Sequence, residues 1–142
     1  MNKFCYFILF FISTAAFSQS HTVIGKWKTL DDVTGKPVSV VEIFEKNKKI
    51  YGKVIEIFNP KTKVPRCEKC DGEDKNKPIL GLIVIKGLIK DGNEYKNGKI
   101  LDPKHGKIYK CFITLESKDV LKVRGFIGIS LIGRTQFWER TK

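Results

Sequence analysis

The sequence is poor in the residues that enzymes and nucleic-acid binders rely on. It holds two histidines, one methionine and four cysteines. It contains no G-x-S-x-G elbow, no glycine-rich phosphate loop and no H-E-x-x-H pair. Gly128-Ile129-Ser130 lacks the second glycine of a nucleophile elbow. Arginine is scarce as well: Arg66, Arg124, Arg134 and Arg140 are the only ones among 27 basic residues. A nucleic-acid groove normally combines arginine with exposed aromatic rings, so lysine on turns and outer faces argues against that partner. Nothing implies a cofactor. No stretch shows a helical period, and no repeat is evident. Past the first residues, no apolar run approaches the roughly 20 needed to span a bilayer as a helix.

What the sequence does have is an ordinary globular composition. The apolar fraction is 42%, with 12 glycines and a formal charge of +12. That is enough apolar surface to offset chain entropy, which excludes a disordered chain. A length of 142 residues suits one domain.

The opening MNKFCYFILFFISTAAFSQS has a basic start at Lys3, an apolar run from Phe4 to Ile12, and small residues Ala16 and Ser18 before Gln19. This pattern predicts a secretory signal peptide over residues 1–18 and a mature domain over 19–142. An uncleaved anchor is the competing reading, disfavoured by the shortness of the run. Removal costs only Lys3 among charged residues, so the mature chain stays strongly basic. The expected location is the periplasm or the medium.

The rest reads as strands joined by turns. Gly25 to Thr29 alternates. Val38 to Glu45 is rich in β-branched residues and pairs through Asn47-Lys48-Lys49 with Ile50 to Phe58. Asn59 to Pro78 is the longest loop. Ile79 to Ile85 is a strongly apolar strand, with Leu88 to Lys90 as its continuation. Turns are expected at Asp91-Gly92-Asn93 and Asn97-Gly98. Strands follow over Lys107 to Leu115, Val120 to Ile127 and Arg134 to Arg140. Consecutive hairpins predict an all-β, antiparallel up-and-down barrel of about eight strands, because closure removes exposed edges. A two-sheet sandwich is the alternative.

Strand alternation sorts the inward side chains. Tyr109, Cys111, Ile113 and Leu115 share a face, as do Leu121, Val123 and Ile127. Arg134, Gln136, Trp138 and Arg140 share another. On parity alone, Tyr109, Ile113, Leu121, Val123, Gln136 and Trp138 are the candidate ligand-lining residues.

The segments GKWKTLDD, TGKP, CEKCDG, GLIVIKGL, DGNEYKNGKILDPKHGKIYKC and LKVRGFIGISLIGRTQFWER together resemble a bacterial exported family known as domain of unknown function 2147. The resemblance spans nearly all of the mature chain. It implies an exported barrel similar to lipocalins and fatty-acid-binding proteins, and it carries no catalytic residues. Gly25-Lys26-Trp27 is similar to the G-x-W start of the lipocalins. There the Trp closes the barrel base against a basic side chain of the last strand, which implies a structural role for Trp27 with Arg134 or Arg140.

Three cysteines remain in the mature chain. Cys67 and Cys70, in an oxidising compartment, predict a small-loop disulfide. A redox-active site is disfavoured, because no helix pattern follows Cys70. A zinc site of Cys67, Cys70, Cys111 and His105 has the right ligand types, but the inward parity of Cys111 suits a buried thiol better. No metal is therefore expected.

The favoured function is a small apolar or amphipathic ligand held in a barrel. The alternative is a filled barrel that binds anionic envelope surfaces, or a protein partner, through its basic exterior. An enzyme rests only on the polar pair Arg134 and Gln136.

Overall fold

The computed structural model describes residues 21–142, so the expected signal peptide lies outside the described residues. Eight antiparallel strands form one closed barrel in sequence order. They are β1 (Gly25–Leu30), β2 (Pro37–Lys46), β3 (Lys49–Ile57), β4 (Ile83–Asp91), β5 (Glu94–Asp102), β6 (Lys107–Ser117), β7 (Val120–Phe126) and β8 (Gly133–Thr141). Closure comes from β1 against β8, where Trp27 faces Arg140 and Lys28 faces Glu139. Every strand thus has two partners and no edge is left unpaired. Among the described residues no helix is long and apolar enough to cross a membrane. The sandwich alternative is excluded.

The tight hairpins follow from local chemistry. Asn47 and Lys48 both adopt positive φ, 52° and 63°, between β2 and β3. That pair supplies the turn whose twist matches the flanking strands. In the β1–β2 loop, the Asp31 carboxylate accepts hydrogen bonds from the backbone N–H of Val33 and Thr34, at 2.9 and 2.8 Å. Those bonds, Thr34 foremost, hold the Asp31 carboxyl below its ordinary pKa.

Two expectations need correction. Asn97-Gly98 is not a turn but an irregularity inside β5, where the register shifts between Tyr95 and Gly98. The Asn-Gly signal is real, since Asn97 has φ 63°. It bends the strand without ending it, as a bulge does. A Cβ on Gly98 would lie 2.5 Å from the Lys86 carbonyl oxygen and 2.7 Å from Leu88 Cδ2, so glycine permits a close crossing of β4. The apolar run Ile79 to Ile85 also does not form one strand: β4 begins at Ile83, and Leu80 is exposed. Ile79 N–H instead donates to Pro65 O, which commits this end of the run to the long loop.

An up-and-down barrel places alternate connections at opposite ends. The β1–β2, β3–β4, β5–β6 and β7–β8 loops gather at one end, here the mouth. The short hairpins and the segment before β1 lie at the other, the base.

Candidate functional site

The base is sealed from the residues upward. Val23 and Trp27 are buried, and Trp27 Nε1–H donates to Val23 O at 2.8 Å. The Arg140 guanidinium stacks on Trp27, its carbon 4.3 Å from the ring centroid. It also donates to Thr22 O at 2.6 Å, Ile24 O at 3.1 Å and Lys118 O at 2.8 Å. The cation thus ties the entering segment and the β6–β7 turn across the bottom. Arg140, not Arg134, is the residue opposite Trp27.

Above this plug the interior is filled. Ile43, Ile85, Leu88, Ile113 and Leu121 have no solvent exposure, while Val41, Val123 and Trp138 have 2–3%. Side chains lining a solvent-sized void would show accessible surface, so this half of the barrel is packed as a core. Ile113, Leu121, Val123 and Trp138, chosen on parity as ligand-lining, are inward as expected and lie in this packed region. Cys111 joins them at 2% exposure, and burial pushes its thiol pKa up to about 12. Such a thiol carries almost no thiolate and behaves as a small hydrophobe.

The upper half differs. Register places Thr29 opposite Ser39 and Ser39 opposite Ile57. It places Ile100 opposite Tyr109, Gly125 opposite Arg134, and Val123 opposite Gln136. These are inward positions, yet Thr29, Ser39, Ile57, Ile100, Tyr109, Gly125 and Gln136 are all half-buried and Arg134 is exposed. These inward positions at the mouth, called the cup below, thus keep part of their surface in solvent above the packed core. One wall is polar: the Thr29 and Ser39 hydroxyls lie 2.8 Å apart. Trp138 Nε1–H donates to Gln136 Oε1 at 3.1 Å, and Gln136 Nε2–H donates to Asp32 Oδ1 at 3.2 Å. Arg134 Nη1 is 3.0 Å from Asp32 Oδ2. This chain of contacts folds the β1–β2 loop onto β8. The remaining inward positions at this end, Ile57, Ile100 and Tyr109, are largely apolar.

The sequence alone singles out none of Asp32, Thr29, Ser39, Ile57 and Ile100. Parity counted from Trp27 reaches Thr29. The other positions depend on register shifts in β2–β3 and on the bend at Gly98, which carry no clear sequence signal.

Cys67 and Cys70 form a disulfide within the long β3–β4 loop. Both are fully buried, and the loop covers the outer face of the barrel at Val84 and Leu101. Gly106 in the β5–β6 turn has no room for a Cβ because Lys69 and Cys70 backbone atoms rest on it. Cys111 points into the barrel, so the structure does not bring it together with this pair. His105 instead has Nδ1 2.7 Å from Asp102 Oδ2. Among the described residues no group of three or more His, Cys, Asp or Glu side chains is placed to hold a metal. Beside the loop runs an open groove of about 400 Å³ lined by Asp71, Leu101, Ile108 and Ile127, among others.

Asp74, in the loop's single 3₁₀ turn (Gly72–Asp74), anchors it. Burial opposes its charge, but Lys86 Nζ at 2.6 Å and Lys77 Nζ at 3.5 Å outweigh that and hold the carboxyl below its ordinary value of 3.8. A pKa lowered by folding stabilises the protein above the unfolded value, and that contribution disappears as pH falls through the folded value. Asp74→Asn should therefore cost about 1 kcal/mol at neutral pH, at the low end for a charged hydrogen bond because Lys86 is partly exposed. Urea unfolding well below pH 3.8 should show the variant and the parent equally stable. A gap that persists in acid would contradict this account.

A small closed antiparallel barrel with a G-x-W strand, a base sealed by Trp and Arg, and a cup at the mouth defines a lipocalin-like protein. Residues 25–140 match the family described as uncharacterized protein conserved in bacteria, DUF2147, and the chain belongs to that family. Among solved structures it is similar to Helicobacter pylori protein HP1028, described as belonging to the lipocalin family. The TM-score is 0.74 at 25% identity, over 85% of this chain and 84% of that one. No curated protein matches the chain.

Proposed function

We propose that this chain is an exported binding protein that takes a small amphipathic molecule at the mouth of its barrel. The observation that carries the reading is the division of the interior: a sealed, packed base beneath a half-exposed cup lined by both polar and apolar side chains. Arg134, Asp32 and Gln136 offer donors and acceptors to a polar head. Ile57, Ile100 and Tyr109 offer an apolar surface to a short chain. A deep cavity for a long acyl chain is not part of the proposal, because Ile113, Leu121 and Trp138 fill that space. Tyr109 and Gln136 remain candidate contacts, while Ile113, Leu121, Val123 and Trp138 form the floor.

Native mass spectrometry of protein purified under mild conditions tests this, read against the denatured mass. Extra mass lost on denaturation is the expected result. Gly125→Leu should abolish it: a Cβ there meets Ile100 Cγ2 at 3.4 Å and Tyr109 Cβ at 3.6 Å, ordinary contacts, so the longer side chain fits by filling the cup. Bound mass that survives in a folded Gly125→Leu protein would place the ligand elsewhere.

A further inference from the structure

The segment from Gly125 to Gly133 reads GFIGISLIG and contains no charged residue. It joins β7 to β8 at the mouth and displays its aliphatic side chains to water. Ile127 is 63% exposed, Ile129 58%, Leu131 84% and Ile132 64%. The display is a built feature. Ile127 N–H donates to Ile132 O at 3.0 Å, and Ile132 N–H donates to Ile129 O at 3.1 Å. The Arg124 guanidinium donates to Ser130 O at 3.2 and 2.7 Å and to Thr135 Oγ1 at 3.1 Å. Lys110 Nζ donates to Gly128 O at 3.4 Å. Two cations thus brace the loop from β6 and β7 through neutral carbonyls. Among the described residues neither has a carboxylate within ion-pair distance, so both positive charges stay uncancelled. Lys107 stands beside Ile108 and Ile127 in the groove at the loop's flank. Arg134 follows the loop directly. Of the acidic neighbours, Asp32 pairs with Arg134 and Asp74 with Lys86 and Lys77, which leaves Asp71 in the groove as a single carboxylate against Lys107, Lys110 and Arg124.

We propose that this β7–β8 loop docks the barrel, mouth first, on an anionic lipid bilayer, with Ile129, Leu131 and Ile132 entering the headgroup–acyl boundary and Lys107, Lys110 and Arg124 meeting lipid phosphates. A braced convex tip of aliphatic side chains, collared by unpaired cations, matches a surface that is apolar below and negative above. A protein partner is the poorer fit, because protein interfaces favour Tyr, Trp and Arg at their centres and this tip carries only Ile and Leu. The docking goes beyond the ligand reading and does not depend on the cup.

The test is co-sedimentation of the exported protein with vesicles of phosphatidylcholine mixed with phosphatidylglycerol, and with phosphatidylcholine alone. The expected result is binding to the anionic vesicles only, weakened by salt. Removing two inserted aliphatic side chains in the Ile129→Ser, Leu131→Ser protein should weaken binding by about 10-fold or more. Both positions are exposed, so the thermal melt should not move. No sedimentation of the parent would overturn the proposal. So would undiminished binding of the folded double variant, which would assign the affinity to the basic exterior alone. Concentration-dependent self-association that this variant loses, without vesicle binding, would overturn it in favour of a second copy of the chain.

Discussion

Trp27→Ala should lower stability by about 3–5 kcal/mol, the range for removing a large buried aromatic side chain. The loss has several sources. Trp27 is fully buried at the foot of β1 and belongs to the core cluster. Its indole N–H satisfies Val23 O, and its ring carries the Arg140 guanidinium. Removing the ring opens a cavity, leaves the cation without its stacking surface and loosens the segment that crosses the base. Trp27→Phe keeps part of the packing and should fall between the two. Arg140→Lys keeps the charge but loses the planar fork that reaches Thr22 O, Ile24 O and Lys118 O, and should cost about 1–2 kcal/mol. Urea unfolding followed by tryptophan fluorescence, from Trp138 alone in the two Trp27 variants, measures all three. A Trp27→Ala loss below about 1 kcal/mol would mean that the base is not sealed as described.

Gly98→Ala is the second large effect, at about 1–3 kcal/mol. On the usual scale alanine in a strand is no worse than glycine, so a loss here isolates the steric cause. The added methyl meets the Lys86 carbonyl and Leu88 Cδ2 inside ordinary contact distance, and the carbonyl belongs to the backbone of β4. Relief requires β4 and β5 to move apart where Ile85 pairs with Ile100. Ile100 also forms part of the cup wall, so the same substitution should weaken the binding of added mass in native spectra. A neutral or stabilising Gly98→Ala would show that the strands do not cross so closely.

The sequence made the architecture legible because its signals were local and repeated. Alternation in β6, β7 and β8 sorted inward from outward residues, and polar turns marked most hairpins. The G-x-W start led to Trp27 and to the last strand, although choosing between Arg134 and Arg140 required knowing which end of β8 lies over the base. Asn97-Gly98 misled because the same dipeptide that makes a hairpin also makes a bulge, and only the neighbouring strand decides between them. The long loop hid its role for a similar reason. Its proline, glycine and charge content reads as solvent-exposed, yet Cys67, Cys70 and Asp74 are buried against the outer wall, at a distance in sequence no local pattern encodes. The depth of the cup was beyond reach of parity. Alternation says that Ile113 and Gln136 both face inward, but not that one lies in packed core and the other in solvent. The β7–β8 loop is an apolar stretch that no local pattern marks as exposed, and only its exposure makes it a feature of the mouth.

The most direct test of the central claim is an amide chemical-shift titration of labelled protein with a medium-chain fatty acid, an anionic amphiphile with a short apolar chain. Saturable shifts at Thr29, Ser39, Ile100, Gly125 and Gln136, with Trp27, Ile43, Ile50 and Leu88 unmoved, are the result this structure predicts. Shifts centred on those four core residues, or no saturable shift at the mouth, would contradict it.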